Sequence, residues 1–407
     1  MIRFIHAADL HLDRPFEGLS DLPASIHERV KNSIFEALDQ LVHHAVMEKV
    51  DFVILAGDIF DDSRRSIRAQ KQFIRAMDVL NQSDIPVCLV FGNHDYLDNH
   101  SKRLDLPANV HVFPERPEPF RIETASGEIA AVYGFSYHRR HISEDMVKYF
   151  KKDGNADYHI GILHGAQRMA ASEDVYAPFT IEDLRAKAFD YWALGHIHKR
   201  ESLASDPPIE YSGDIQGLSI KETGEKGISL VALDASGAHV QLLPTASILW
   251  ETAELSIAPP HLNLNDIDEA LSQVREKNRL RDRAVFLRVK AIVTKAEQEM
   301  DVLEQEISDL IDAGNDAEVD RNNFVWLLDA SIDIKPIWSH EEMLARPNFI
   351  GDLFRTIDAQ TDLEPVVQPL LAHRQGRRYL RMPDDNEAME IRQKAEQILA
   401  EALLRKN

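Results

Sequence analysis

Pro86-Val-Cys-Leu-Val-Phe-Gly-Asn-His-Asp95 decides how the rest of the chain is read. Its first part is apolar and ends at a glycine, as a buried strand does. Gly, Asn and Asp make turns unaided, but a histidine among them is unusual and points to chemistry. The same grammar recurs on both sides. Phe4-Ile-His-Ala7 runs into Asp9-Leu-His11, and Asp51-Phe-Val-Ile-Leu-Ala56 into Gly57-Asp58. Further on, His159-Ile-Gly-Ile-Leu163 runs into His164-Gly165, and Tyr191-Trp-Ala-Leu194 into Gly195-His-Ile-His198. Helical spacing fills the gaps: Ser25–Lys49 carries Ile34, Leu38, Leu41 and Ala45, and Ile67–Leu80 carries Phe73, Ile74, Met77 and Leu80. Strands alternating with helices predict an α/β layered fold, in which ligands gather at the C-terminal ends of the strands.

Each of these loop motifs is ordinary alone; a series of strand ends delivering Asp, His or Asn to one edge is not explained by turn preference. Two divalent ions ~3.5–4 Å apart need a bridging anion, which one carboxylate supplies. Asp58 is the natural bridge. Neutral imidazole and amide ligands complete the shells without piling up negative charge. Mixed nitrogen and oxygen ligation favours Mn²⁺, Fe²⁺ or Zn²⁺ over the all-oxygen surroundings of Mg²⁺ or Ca²⁺, and the lack of Cys ligands argues against a closed structural zinc site. The chemistry implied is metal-assisted hydrolysis at a phosphoryl group.

Composition bounds what such a site can act on. The chain has 407 residues, a formal charge of −22 and one cysteine. That length suggests two or three domains. The lone Cys88 rules out an intramolecular disulfide framework and sits in a buried-strand pattern, so a reducing, cytoplasmic setting is expected. No apolar run approaches the ~20 residues of a membrane span, so no membrane partner is expected. The negative charge excludes a generally basic nucleic-acid coat. A polyanion would be held by local patches or bound metal, and basic clusters do lie beside the ligand loops: Arg64, Arg65 and Arg68, Lys102 and Arg103, Arg139 and Arg140, Lys199 and Arg200.

Residues 1–248 form the expected catalytic domain, its last part (199–244) a meander of short strands at Ile209–Tyr211, Gly227–Leu233 and His239–Leu243. Residues 249–335 read as a small α+β unit: strand Thr252–Ile257, helix Asn265–Lys277, strand Ala284–Ile292, helix Lys295–Ile311, strand Asn323–Asp329. Residues 336–407 are helical. In Asp384–Lys406, Ala388, Ile391, Ala395, Ile398 and Ala402 form an a/d-like stripe that fits either packing on its own domain or docking a partner helix. Arg374, Arg377, Arg378 and Arg381 precede it.

Taken together, Asp9-x-His11, Gly57-Asp58, Gly92-Asn-His-Asp95, His164-Gly165 and Gly195-His-x-His198 resemble the calcineurin-like metallophosphoesterase superfamily. Asp190–Lys199, Tyr211-Ser-Gly-Asp-Ile-Gln-Gly217 and Gly224-Glu-Lys-Gly227 are similar to the SbcD-type DNA-repair exonuclease subunits, in their YhaO-like branch. The resemblance implies a four-layer sandwich with a small α+β capping domain and a helical C-terminal, partner-docking segment. It implies one ion held by Asp9, His11, Asp58 and His198, and a second held by Asp58, Asn93, His164 and His196, most readily Mn²⁺. It places His94 at the scissile phosphate and Asp95 beside it, fixing the loop. Asp61 stands where some relatives place a histidine and SbcD proteins an aspartate, and Asp214 and Leu218 where relatives often carry an uncharged polar residue and an arginine, which leaves their roles open. The implied activity is a DNA exonuclease, with endonuclease action also in range, working with an SMC-like ATPase whose coiled coil meets the C-terminal helices, as a dimer of nuclease subunits. A small-substrate phosphodiesterase or phosphatase, and a non-catalytic scaffold, are the alternatives.

Overall fold

The computed structural model describes residues 1–19, 22–61, 66–97, 104–152, 154–168, 176–257, 263–280, 282–295, 300–336, 339–359, 364–373, 382–383 and 385–404. The chain divides into two compact units: Met1–Thr252 with Arg275–Arg288 and Ala313–Leu328, and Ala253–Val274 with Val289–Asp312 and Asp329–Asn407.

Two six-stranded sheets make up most of the first unit. One has the order β12 (Gly237–Pro244), β11 (Gly227–Asp234), β1 (Ile2–Ala7), β2 (Phe52–Ala56), β3 (Val87–Val90), β4 (Val110–Val112). The other runs β5 (Glu118–Glu123), β6 (Ile129–Gly134), β7 (Tyr158–His164), β8 (Tyr191–Gly195), β10 (Pro208–Tyr211), β9 (Glu201–Ser205). Strands β1, β2, β3 and β4 are parallel, as are β6, β7, β8 and β10, so the ligand-bearing loops leave at the same end of each sheet.

Period-2 alternation gives each strand two apolar faces, because both are covered. Val53 and Leu55 of β2, with Val87 and Leu89 of β3, face α1 (Ala24–Met47) and α2 (Ile67–Gln82), meeting Leu38, Leu41, Phe73 and Met77. The alternate residues, Phe52, Ile54, Cys88 and Val90, face the second sheet and its Val132, Ile160, Ile162 and Ala193. Cys88 is therefore buried between the sheets, as its pattern predicts. The far side of the second sheet buries Trp192 and Leu194 against Phe150, Phe179, Phe189 and Leu184, the last from α3 (Ile181–Arg185). Helices, sheet, sheet and an outer helical layer make the four-layer sandwich.

Between β10 and β11 the loop is stitched to the start of β13 (Ile248–Ile257). The Gln216 amide oxygen accepts the N–H groups of Ser247 and Ile248 at 3.1 and 3.3 Å, and its NH₂ donates to the Ile248 carbonyl at 2.7 Å. Trp250 donates its indole N–H to the Gly217 carbonyl at 2.8 Å. A third sheet orders β13, β14 (Ala284–Lys295) and β15 (Val325–Pro336). The helices of the chain's later part are α4 (Leu264–Lys277), α5 (Met300–Asp316), α6 (His340–Leu344), α7 (Phe349–Ala359), α8 (Glu364–Ala372) and α9 (Asp385–Leu404). Within the second unit Met343, Ile350, Phe354 and Ala400 form a small core joining α6, α7 and α9. No helix among the described residues is long and apolar enough to cross a membrane.

Candidate metal centre

The ligand loops hold a backbone that free residues avoid. Asp9, His11, Asp58 and His196 have φ of 51°, 45°, 52° and 99°. Left-handed conformations at non-glycine residues cost of order 1–3 kcal/mol each and persist where surrounding structure over-determines them. Here the loops after β1 and β2 are zipped together: Asp9 N–H donates to the Gly57 carbonyl at 3.1 Å, His11 N–H to Asp58 at 3.0 Å and Leu12 N–H to Ile59 at 3.0 Å. Gly92 lets the loop after β3 close on them, since a Cβ there would stand 2.2 Å from Asp58 Oδ1 and 2.7 Å from His164 Nε2.

All seven expected ligands converge. His11 Nε2 lies 3.0 Å from His198 Nε2 and 3.8 Å from Asp58 Oδ2. His164 Nε2 is 3.4 Å from Asp58 Oδ2 and 3.0 Å from Asn93 Oδ1, which His196 Nδ1 also approaches at 3.1 Å. Ligand atoms of Asp9, His11 and His198 lie within 4.8 Å of one another, as do those of Asp9, Asp58 and His164. Fixed backbone groups aim the side chains. Asp9 accepts the His196 N–H at 3.0 and 3.1 Å, Asp58 accepts the His94 N–H at 2.9 Å, and the Ala56 carbonyl meets His164 Nδ1 at 2.9 Å.

Electrostatics fit a cation site. Asp9, His11, Asp58, Asn93 and His164 are all buried. Burial pushes the Asp9 carboxyl up, whereas at Asp58 the charge and contact of His164, with His11 and His94, overcome burial and hold the carboxyl far below its usual range. Burial opposes charge on His164, but Asp58 and Asp9 outweigh it and carry the imidazole up to about 9. His198 rises to about 9 against burial through Glu222 and Asp9. Burial brings His11 and His196 down to about 3. Two buried carboxylates thus draw positive charge to one spot, and the imidazoles turn nitrogens toward it. Four imidazoles, two carboxylates and one amide, with no thiolate, suit two divalent ions of borderline hardness.

His94 sits at the rim, 27% exposed, with Nδ1 3.4 Å from Asp61 Oδ1. Contact with Asp61 lifts its pKa against burial. Asp95 is fully buried and spends its carboxylate on backbone N–H groups. Asp214 and Leu218 are buried too, and Asp214 pairs with Lys226 at 2.7 Å. The basic clusters scatter. Lys199 is exposed, as are Arg139 and Arg140, while Arg200 donates to Ser229. Arg68 turns to Asn32 at 2.7 Å and the Phe35 ring, away from a substrate role. Arg64, Arg65, Lys102, Arg103, Arg374, Arg377, Arg378 and Arg381 lie outside the described residues. One functional neighbour had no role in the sequence reading: Glu222, 2.6 Å from His198 Nδ1. Its signal was its place beside the Gly224-Glu-Lys-Gly227 motif.

A family model described as calcineurin-like phosphoesterase matches residues 2–200. The YhaO protein of Bacillus subtilis (strain 168), described as an uncharacterized metallophosphoesterase, is 34% identical over 404 residues, covering 99% of this chain and 98% of that one. The chain belongs to the calcineurin-like metallophosphoesterase family. As a metallophosphoesterase it is a hydrolase of phosphoester bonds, and the dimetal centre typical of the family has its candidate ligands in the cluster above. Two further relatives of this metallophosphoesterase carry more specific names. The DNA double-strand break repair protein Mre11 of Thermoplasma acidophilum is 25% identical, covering 75% of this chain and 80% of its own. A component of the SbcCD nuclease of Bacillus subtilis (strain 168) is 26% identical, covering 68% of this chain and 77% of its own.

Proposed function

We propose that this metallophosphoesterase is a metal-dependent DNA nuclease, an exonuclease with endonuclease action in range, acting in DNA repair by a two-metal mechanism. The observation that carries the reading is the reach of one similarity. Alignment with the double-strand break repair protein Mre11 spans 324 residues, well beyond the 2–200 of the family match, and so includes chain outside the metal ligands.

In this reading Asp9, His11, Asp58 and His198 would hold one ion, and Asp58, Asn93, His164 and His196 the other. Bound divalent ions, Mn²⁺ in this proposal, supply charge for the phosphoryl oxygens and acidify a water. The chain's own residues do the rest. Asn93 and the His94 N–H, bonded to Asp58 at 2.9 Å, hold the loop, and the His94 imidazole is proposed to face the departing oxygen. Asp61 favours the protonated ring, the form a general acid needs. Lys199 and Arg200, with Arg64, Arg65, Lys102 and Arg103, are proposed to meet the DNA backbone.

Residues 249–335 are proposed as the cap and 336–407 as the docking segment for the coiled coil of an SMC-like ATPase, in a dimer of nuclease subunits in the cytoplasm. Helix α9 supports a docking role: it buries Glu396 and Ala400 but leaves Ile391 and Ile398 43% and 66% exposed. The test is Mn²⁺-dependent degradation of linear DNA, with a generic phosphodiester as control. Asn93→Ala and His94→Ala should each abolish DNA degradation. Unchanged degradation by both variants ends the assignment, and cleavage of the generic ester alone points to a small-substrate phosphodiesterase.

A further inference from the structure

His198 is gripped from one side by a single loop. Its Nδ1 lies 2.6 Å from Glu222 Oε1, and the second oxygen of that carboxylate accepts the Leu218 N–H at 2.6 Å. The His198 carbonyl accepts the Asp214 N–H at 3.2 Å and a Lys226 ammonium proton at 3.3 Å. Lys226 in turn neutralises Asp214 at 2.7 Å, both side chains being at most 8% exposed. Glu222 makes its own close ion pair with His198, at 2.6 Å. The other ligand imidazoles are held differently among the described residues. His164 Nδ1 meets a backbone carbonyl, His196 Nδ1 turns to Asn93, and His11 Nδ1 has no hydrogen-bond partner.

The two nitrogens of an imidazole are not independent. In the neutral ring that a metal ligand must be, a proton donated from Nδ1 to a carboxylate leaves Nε2 as the nitrogen with the lone pair. That nitrogen of His198 is the one facing His11 Nε2 at 3.0 Å. The Leu218 N–H fixes the carboxylate, the carboxylate fixes the ring plane, and the ring plane aims Nε2.

We propose that Glu222 is a positioning residue for the ion held by Asp9, His11, Asp58 and His198, fixing both the orientation and the tautomer of the His198 ring. The inference rests on the two-ion reading above. Partners of this kind are worth about 10–100-fold in metal affinity. Glu222→Gln keeps the side chain's size but puts an NH₂ where one of the two accepting oxygens stands, so the N–H of either His198 or Leu218 then faces a donor.

The experiment is a calorimetric Mn²⁺ titration of the full-length protein as wild type, Glu222→Gln, His198→Ala and the double variant, with melting curves beside it. Wild type should bind two ions. Glu222→Gln should weaken one about 10–100-fold and leave the other unchanged, which also reports an intact fold. In the His198→Ala background the second substitution should add nothing. Should Glu222→Gln melt early, Glu222→Asp takes its place in the same cycle. Two ions bound equally well by wild type and Glu222→Gln would overturn the inference alone, as would a full extra loss in the His198→Ala background. Fewer than two ions in wild type would overturn the two-ion reading, and this inference with it.

Discussion

The carboxylate of Asp95 accepts the backbone N–H of Ile59 at 2.8 Å, joining the loop after β3 to the loop after β2. Its other oxygen accepts the Gly92 N–H at 2.7 Å, closing its own turn. Both donors are buried, so the carboxylate is what stands between them and an unsatisfied interior.

Asp95→Asn should therefore destabilise the catalytic domain by about 2 kcal/mol, since the amide can accept at one oxygen only and turns a donor toward the other N–H. The thermal midpoint should fall and Mn²⁺ retention with it. A midpoint within error of wild type contradicts the argument.

Gly92→Ala should spare the fold and damage the centre. The new methyl meets Asp58 Oδ1 at 2.2 Å and the Asp58 backbone nitrogen at 2.8 Å, so the Asp58 carboxylate must move. Elemental analysis should find fewer than two ions per chain with a near-native circular dichroism spectrum. Full occupancy would mean that the loop yields without cost.

Metal should stabilise this protein by mass action, because ions that bind the folded form alone shift the equilibrium by RT ln(1 + [L]/Kd). Wild type should melt higher with added Mn²⁺ and return to its starting midpoint with chelator. Asp58→Asn removes the carboxylate proposed to be shared by both ions and should abolish the shift. Persistence of the shift in that variant would move the bridge to another residue.

A pH response is expected within the second unit. His340 contacts Glu396, and its Nε2 lies 3.0 Å from Asp358, so α6 is tied to α9 and α7. The Glu396 contact, then that with Asp358, raises its pKa above the ordinary value. With the folded value above an unfolded value of about 6.5, this stabilisation is complete below that pH and fades as pH rises through the folded value. The ring is 40% exposed, so the effect is small. Hydrogen-exchange protection of α9 should fall above neutrality, and His340→Gln should remove that part of the fall. An identical pH profile in the variant refutes it.

The centre was legible because each ligand follows a strand whose apolar run is unmistakable, such as Ile54–Ala56 before Gly57-Asp58. Parallel pairing then brings the loops to one edge. Strands lacking that signature were missed: β5 reads Glu118-Pro-Phe-Arg-Ile-Glu123, half-polar and lying at a sheet edge. Boundaries drifted in the later chain. The strand expected at Asn323–Asp329 is Val325–Pro336, and the helix expected from Lys295 begins at Met300 because β14 runs to Lys295. Alternation in Ser331-Ile-Asp-Ile-Lys335 carried the strand signal, but charged residues masked it. Glu222 stands beside the Gly224-Glu-Lys-Gly227 motif, but nothing in that motif says that a loop residue 24 positions on returns to His198.

The stitching of Gln216 and Gly217 to Ser247, Ile248 and Trp250 sets where this protein can be cut. The family match stops at residue 200, and the two sheets are complete by Pro244, which invites truncation just beyond it. A fragment ending there would keep every metal ligand yet shed the clasps on the loop that carries Glu222. The two-sheet part is thus fastened to later chain through this loop. Its last ligand leans on chain that comes after it.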